Sequence, residues 1–365
     1  MKKITVILLA VLILAACGGT KTETKQGGDT FDLALVTDLG TIDDKSFNQG
    51  AWEGLVQYAD EFGISRKYYQ PAEQSDDAYL SAIDLAVKGG AKVIVTPGFL
   101  FEKPVFLAQD RYPDVCFILV DGEPNDGDWS KGAPVYKTNK NVVGVLYAED
   151  QAGFLAGYAA VKDGNRKLGF VGGMAVPAVV RFGYGFVQGA ELAAKELGLS
   201  AGSITINYHY TGNFAASPEA QALAASWYNS GVDVIFACGG AVGNSVMAAA
   251  EQAGKKVIGV DVDQSGESPT VITSAMKGLR PSVYDCIKNY YQGFFPGGQT
   301  LVFQAANEGV GLPMATSKFN QFTDIDYQNI YFELAMGNIP RMDKLDENGS
   351  PSVVPVTIVK ITEVK

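Results

Sequence analysis

Residues 33–52 read LALVTDLGTIDDKSFNQGAW and combine a short apolar run, an acidic turn and an amphipathic segment. The apolar run, 33–36, is typical of a buried strand. The glycine that follows indicates a turn, and Asp43 or Asp44 can accept hydrogen bonds from the free amides of a helix start. Phe47 begins a helical repeat of apolar residues, which predicts a helix that packs one face on a sheet. This segment therefore predicts a strand–turn–helix unit of an α/β protein.

The same alternation of apolar runs and helical repeats continues along the chain in two series that meet near residue 140. Strands are predicted at 32–37, 65–70, 92–96, 115–121, 142–148, 167–171, 203–209, 232–237, 256–262, 270–274 and 353–361. This alternation is typical of parallel sheets built from βαβ units. The sequence thus predicts an α/β fold with two doubly wound parallel-sheet lobes. Because the chain returns after the second series, we expect several crossings between the lobes, which would form a hinge beside a cleft.

The expected lobe boundaries follow from the two series. The N-terminal lobe is expected to hold residues 31–139 and about 276–330, and the C-terminal lobe 140–275 and about 331–365.

Composition excludes several classes of function. The 365 residues include 40 Asp and Glu against 29 Lys and Arg, a net charge of −11, which argues against a nucleic-acid partner. The chain has one histidine, His209, which is too few for a metal site built from histidines and is the single candidate base for a Ser-His triad. The pairs Gly172-Gly173 and Gly239-Gly240 lack the spacing of a phosphate-binding loop and indicate close backbone approach instead. We therefore expect neither a metal nor a cofactor.

The N-terminus is predicted to be a lipoprotein signal peptide, residues 1–17. Two lysines precede an apolar segment, 4–16, that is too short to span a bilayer. Leu14-Ala15-Ala16-Cys17 resembles the bacterial lipobox, which implies cleavage before Cys17 and acylation of its thiol; an ordinary secretory signal is the alternative. The polar residues 18–30 are expected to be a flexible tether. We accordingly expect a lipid-anchored protein on the extracytoplasmic face of the cell membrane.

Polar residues at the ends of predicted strands are the candidate site. Asp38, Asp121 and Asp261 each follow an apolar run, and ligands of open α/β sheets bind beyond the carboxyl ends of the strands. Carboxylates from two lobes would then converge on one cleft. Asp263 belongs to the same set, although a solvated strand end is an equally good interpretation of that residue. Backbone at Gly239-Gly240 is expected to approach the ligand closely.

These residue types suit a neutral, hydroxyl-rich ligand with a planar ring. A carboxylate accepts strong hydrogen bonds from two neighbouring hydroxyls. Lys277 could donate to a sugar oxygen, with an exposed surface lysine as the alternative. Phe47 and Phe214 could hold a planar ring between them, although Phe47 also lies on the apolar helical face and could simply pack in the core.

Several motifs together resemble the basic membrane protein, or PnrA-like, family of bacterial substrate-binding lipoproteins. They are the lipobox, Val36-Thr37-Asp38, the block DDKSFNQ at 43–49, Val120-Asp121-Gly122 and GVDVDQ at 259–264. The resemblance implies a type I periplasmic-binding-protein fold whose lobes close on a nucleoside, without catalysis. It also implies an ABC permease and an ATPase as partners.

The resemblance further implies a role for each candidate residue. The base would stack between Phe47 and Phe214, and its polar edge would meet Asp38 and Asn48. The ribose would be held by Asp121, Asp261 and Lys277, helped by the backbone at Gly239 and Gly240. Adenosine, guanosine and inosine all fit these roles, so the preferred base stays open.

Two other functions stay open at this point. A binding protein of the same fold could take a free sugar. Residues 37–44, TDLGTIDD, also resemble the Asp-rich, calcium-binding start of nucleoside hydrolases. That second likeness has a spacing one residue too long between Asp38 and the Asp pair, and its first Asp would fall near Val36.

Overall fold

The computed structural model of the protein describes residues 30–341, 346 and 348–364. The signal peptide, the lipidation site expected at Cys17 and nearly all of the tether lie outside these residues. Across the described part of the chain, no helix combines the length and the apolar character needed to cross a membrane.

The N-terminal lobe is built on a six-stranded parallel sheet whose strands lie in the order β11-β5-β4-β3-β1-β2. Its strands are β1 (Leu33–Val36), β2 (Arg66–Tyr69), β3 (Val93–Pro97), β4 (Cys116–Val120), β5 (Val142–Tyr147) and β11 (Gln299–Phe303). Every residue of β1 and β3 is buried, as expected for strands covered by helices on both faces. The helices are α1 (Phe47–Phe62), α2 (Asp76–Lys88), α3 (Glu102–Arg111) and α8 (Leu279–Tyr291).

The C-terminal lobe is built on a seven-stranded sheet in the order β12-β10-β9-β8-β6-β7-β13, parallel except for β12 against β10. Its strands are β6 (Lys167–Gly172), β7 (Ile204–Tyr210), β8 (Val234–Cys238), β9 (Lys256–Asp261), β10 (Val271–Lys277), β12 (Val310–Gly311) and β13 (Val359–Glu363). The helices of this lobe are α4 (Glu149–Lys162), α5 (Pro177–Glu196), α6 (Pro218–Asn229), α7 (Val242–Ala253) and α9 (Asp324–Ala335). Two α/β lobes with parallel sheets confirm the predicted fold class.

Within the described residues the chain passes between the lobes three times, at β5–α4, β10–α8 and β11–β12. These crossings bond to one another: the amide of Ala148 donates to Phe303 at 2.9 Å, and the amide of Gly278 donates to Gly309 at 2.9 Å. The hydroxyls of Tyr147 and Ser282 also share a hydrogen bond. The crossings therefore form one connected hinge, and both Glu149 and Lys277 lie at it.

Helices α4 and α5 pack so closely that their glycines cannot be replaced without movement of the backbone. A Cβ on Gly153 would lie 2.1 Å from the carbonyl oxygen of Phe182, and one on Gly189 would lie 1.9 Å from that of Phe154. Glycine therefore lets these two helices meet backbone to backbone. Since α4 begins at Glu149, this contact fixes the position of that residue relative to the start of α5.

The structure differs from the expected lobe boundaries in two places. The division is expected at residue 140, yet β5 pairs with β4 in the N-terminal sheet. Residues 276–330 are expected in the N-terminal lobe, yet β12 pairs with β10 in the C-terminal sheet. The last strand starts at Val359 rather than at residue 353, where a short turn of helix stands instead. An apolar run shows that a segment is buried, but not which sheet it joins, and this is why the boundaries were misplaced.

Candidate functional site

A cavity of about 370 Å³ lies between the two lobes, beyond the carboxyl ends of strands from both sheets. From the N-terminal lobe, Asp38 and Asp121 line it just after β1 and β4. From the C-terminal lobe, Asp261 and Lys277, the last residues of β9 and β10, line the opposite side. The cavity therefore lies where ligands of open α/β sheets bind, beyond the carboxyl ends of the strands. Its volume is in the range typical of small-molecule sites.

The acidic turn holds the start of α1 at the cavity. The Asp44 carboxylate accepts hydrogen bonds from the amides of Ser46, Asn48 and Gln49 at 2.9 to 3.1 Å. Burial nevertheless raises the pKa of Asp44 to about 6, although these amides act in the opposite direction. Of the two candidates, Asp43 and Asp44, it is therefore Asp44 that caps the start of the helix, and it places Phe47 and Asn48 at the cavity wall.

Asp38 and Asn48 form a polar pair on the same wall. One Asp38 oxygen accepts hydrogen bonds from the Gly40 amide at 2.7 Å and from the Asn48 side chain at 3.0 Å. Burial raises the pKa of Asp38, against the effect of these two donors. Asn48 is 3 % exposed, and among the residues that the structure describes its Oδ1 atom is buried without a hydrogen-bond partner. The pair can therefore offer two acceptor oxygens to the edge of a ligand.

A buried cluster of charges crosses from one lobe to the other at the hinge end of the cavity. The Lys277 ammonium lies 2.5 Å from an Asp121 oxygen, 3.3 Å from Asp261 and 4.0 Å from Glu149. Glu149 in turn accepts a hydrogen bond from Arg181 Nε at 2.6 Å. Three carboxylates and two cations thus share a region with little access to solvent.

Burial and the neighbouring charges shift the pKa values of this cluster in opposite directions. Burial raises the pKa of Asp121 to about 7, although the Lys277 ammonium lowers it. For Lys277, burial disfavours the charge, but Asp121, Asp261 and Glu149 together raise its pKa above the ordinary value. Lys277 therefore stays protonated at neutral pH, whereas Asp121 titrates near neutrality. Its second oxygen, Oδ1, is buried and has no hydrogen-bond partner among the described residues.

Both carboxylates that end the strands adopt a strained backbone. Asp121 has a φ of 58° and Asp261 a φ of 68°. Few residues other than glycine occupy this left-handed region, and aspartate and asparagine do so more easily than most. Such strain is commonly found where a side chain must be aimed at a ligand.

Phe214 packs against glycines at the ends of two strands. A Cβ on Gly173 would lie 2.4 Å from the Phe214 ring, and one on Gly239 would lie 2.7 Å from the Gly173 amide. Gly240 has a φ of 55° and also faces Phe214. The close backbone approach expected at these glycines is therefore present, and it leaves room for the Phe214 ring at the cavity wall.

Phe47 lines the cavity and also packs against the core. Core packing is therefore present, and the role of Phe47 in holding a planar ring stays a prediction. The Lys277 ammonium lies 4.4 Å from the centroid of the Phe47 ring. This distance is typical of a cation–π interaction. One face of the Phe47 ring is therefore occupied by a cation.

The structure brings together nine of the ten residues that the sequence nominated for ligand binding. Those that line the cavity are Asp38, Phe47, Asn48, Asp121, Phe214, Gly239, Gly240, Asp261 and Lys277. Asp263 is the exception: it is exposed, and its carboxylate accepts hydrogen bonds from Thr316 at 2.7 Å and Ser265 at 3.0 Å. Asp263, two residues beyond the strand end, therefore lies outside the cavity lining, in agreement with the alternative interpretation as a solvated strand end.

Sequence reasoning missed Glu149, Arg181 and Ser46. Glu149 is fully buried and lies two residues after β5. A search for polar residues just after predicted strands could therefore have found it. Arg181 lies within the first turns of α5, and nothing in the local sequence indicates that it reaches Glu149. Ser46 donates to Asp261 at 2.5 Å across 215 residues of sequence, a contact that only the fold can reveal.

Comparison with known proteins agrees with the fold and with the motifs. The family model for PnrA-like substrate-binding proteins of ABC transporters matches residues 31–339. The chain is 31 % identical to the ABC transporter nucleoside-binding protein BmpA of Lactococcus lactis, over 86 % of this chain and 91 % of that protein. It is 29 % identical to basic membrane protein A of Borreliella burgdorferi, over 85 % of this chain and 86 % of that protein.

Among solved structures, a solute-binding protein of an ABC transporter system from Aeropyrum pernix superimposes with a TM-score of 0.74. That match covers 87 % of this chain and 94 % of the other at 22 % sequence identity, so it bears on the fold alone.

Proposed function

The chain belongs to the PnrA-like family of ABC transporter substrate-binding proteins, and from this premise we propose that it captures a purine nucleoside between its lobes for delivery to an ABC importer. Proteins of this family bind substrates outside the cytoplasm and work with a permease and an ATPase. They are not enzymes, which excludes the nucleoside hydrolase considered above. The nucleoside, its binding mode and the lipid anchor at Cys17 are proposals.

The observation that carries the proposal is the combination of two different surfaces in one cavity. One end holds Asp121, Asp261 and Lys277, which can accept from and donate to ribose hydroxyls. The walls also carry Phe47 and Phe214. A free sugar would use the first surface and leave the phenyl rings without a planar partner, whereas a nucleoside uses both.

Each group has a definite part in this proposal. The base stacks on Phe214 and on the face of Phe47 opposite Lys277. Asn48 Oδ1, which has no hydrogen-bond partner among the described residues, and the second oxygen of Asp38 accept from the edge of the base. Asp121 Oδ1, which is buried without a partner among the described residues, accepts from a ribose hydroxyl. Amide groups near Gly239 and Gly240 lie beside the same ligand.

Two measurements test the proposal. The protein is purified without added ligand and denatured, and the small molecules released are identified by mass spectrometry; we expect a purine nucleoside. The refolded protein is then titrated calorimetrically with adenosine, guanosine, inosine and ribose. Tight binding of at least one nucleoside with weak binding of ribose supports the proposal, and preference for ribose would overturn it.

We predict that Asp261→Asn weakens nucleoside binding about tenfold, because it removes the charge from a hydrogen-bonding oxygen. Asparagine tolerates the positive φ of this position, so the change isolates charge from backbone strain, which Asp261→Ala would not. Asp263→Asn is the matched control: it alters the next carboxylate of the same motif, which lies outside the cavity, and should leave the Kd unchanged. Equal affinities for Asp261→Asn and the wild type would remove Asp261 from the ribose site.

We also predict that adenosine affinity rises up to about tenfold between about pH 6 and about pH 8. Burial raises the pKa of Asp121 to about 7 in the ligand-free protein. Below that value the carboxyl carries a proton and accepts hydroxyl hydrogen bonds poorly, and above it the carboxylate is formed. Adenosine keeps the same charge over this range. The Asp121→Asn variant should bind adenosine with a much smaller pH dependence there, of the size that Asp44, whose pKa burial raises to about 6, could still cause. An equally small dependence in the wild type would contradict the prediction.

A further inference from the structure

Two hydrogen bonds join the lobes at the edge of the cavity. The Ser46 hydroxyl of the N-terminal lobe donates to Asp261 Oδ2 of the C-terminal lobe at 2.5 Å. The Gln264 side-chain amide of the C-terminal lobe donates to the carbonyl oxygen of Lys45 at 2.7 Å. We call these two contacts the clasp. Ser46 is fully buried and Gln264 is 1 % exposed, so both bonds are shielded from water.

Neither donor of the clasp lines the cavity. Ser46 and Gln264 lie behind the wall, whereas Asp261 belongs to it. Ser46 therefore touches a proposed ligand-binding carboxylate from the opposite lobe without facing the ligand. Gln264 is held within its own lobe, because its oxygen accepts from the Val260 amide at 2.9 Å and its backbone amide donates to Ser274 at 3.0 Å. Its amide group is thereby aimed at the other lobe.

The acceptor on the N-terminal lobe is held in a strained conformation. Lys45 has a φ of 62°, which is uncommon for a residue with a side chain. Conformations of this kind persist only where the surroundings enforce them. The Asp44 cap on one side and Gln264 on the other hold this peptide in place. The peptide that bonds to the opposite lobe is therefore fixed in position by a bond on each side.

We propose that the clasp makes Ser46 and Gln264 positioning residues, which couple nucleoside binding to closure of the lobes; this rests on the proposed function. When the lobes close, Ser46 orients Asp261 by bonding to Oδ2, which leaves Oδ1 to face Lys277 and the ribose. When they open, both bonds break and Asp261 loses this constraint. The clasp thus acts on the rate at which a bound nucleoside escapes. The exposed Lys45–Glu267 pair, at 3.8 Å, adds little.

The test compares Ser46→Ala and Gln264→Glu with the wild type, using inosine as the probe. Gln264→Glu keeps an oxygen that can accept from Val260 and removes the amide that donates to Lys45, so it sets a carboxylate against a carbonyl oxygen at the contact between the lobes. Stopped-flow binding should show inosine dissociating about five to ten times faster from each variant, with an association rate within about twofold of the wild type. In small-angle scattering with saturating inosine, each variant should be less compact than the wild type.

The matched control is Thr316→Val, which removes a hydroxyl donor to Asp263 within the C-terminal lobe. It should leave both rates unchanged. If the wild type binds inosine and both clasp variants release it at the wild-type rate, the clasp proposal is wrong and the proposed function stands. If the wild type binds none of inosine, adenosine and guanosine, the proposed function fails and the clasp proposal fails with it.

Discussion

Phe214→Ala is expected to weaken nucleoside binding about 30- to 100-fold while leaving any ribose binding nearly unchanged. Stacking of a base on an aromatic ring contributes about 1–3 kcal/mol, and the variant also removes apolar surface from the cavity wall. The ring is seated against Gly173 and Gly240, which have no side chains that could take its place. Calorimetric titration with inosine and with ribose measures the two effects separately.

Phe294→Ala is the control for this experiment. Phe294 is a surface phenylalanine that is 77 % exposed, and it does not line the cavity. Its replacement should change neither affinity. A similar loss of inosine and ribose binding in Phe214→Ala would mean that the residue shapes the cavity without stacking on a base. That result would favour a free sugar as the ligand.

Local patterns predicted the parts of the site that depend on one strand and the turn after it. Asp38, Asp121 and Asp261 follow buried apolar runs, and parallel sheets bring the ends of such runs to one edge. Asp43 or Asp44 was expected to cap a helix because both precede an amphipathic segment, and Asp44 is the one that does so. These inferences need only a strand, a turn and the direction of the sheet, so they survive without knowledge of the full topology.

What could not be predicted depends on contacts between distant segments. The bonds from Ser46 to Asp261 and from Arg181 to Glu149 depend on how the lobes and helices pack. The burial of Lys277 also depends on packing. From the sequence alone, an exposed surface lysine was an equally good interpretation. Likewise, periodicity does not say which sheet a strand such as β5 enters, and the lobe boundary moved for that reason.

Lys277→Met is expected to lower the free energy of unfolding by about 3–5 kcal/mol near neutral pH. Removing one partner of a buried ion pair leaves the other charge without compensation, and changes of this kind have such effects. Here the ammonium lies within 4.0 Å of Asp121, Asp261 and Glu149. Arg181 still pairs with Glu149, so the two aspartates bear most of the loss. Methionine fills a similar volume, which limits any cavity effect, and urea unfolding measures the change.

The pH dependence of the stability lost in Lys277→Met distinguishes an effect of the removed charge from an effect of changed packing. In the wild type, Lys277 lowers the pKa of Asp121 against the effect of burial. Without the cation that pKa rises further above its value in the unfolded chain, so the folded variant binds a proton more tightly than the folded wild type. Its deficit must therefore shrink as the pH falls towards about pH 5 and grow towards about pH 8. Adding Asp121→Asn should restore part of the stability at about pH 8. Lys92→Met, which removes an exposed pair with Asp32, should stay within about 0.5 kcal/mol of the wild type. A deficit for Lys277→Met that is the same at both pH values would show that the lysine acts through packing, and that the cavity does not depend on its charge.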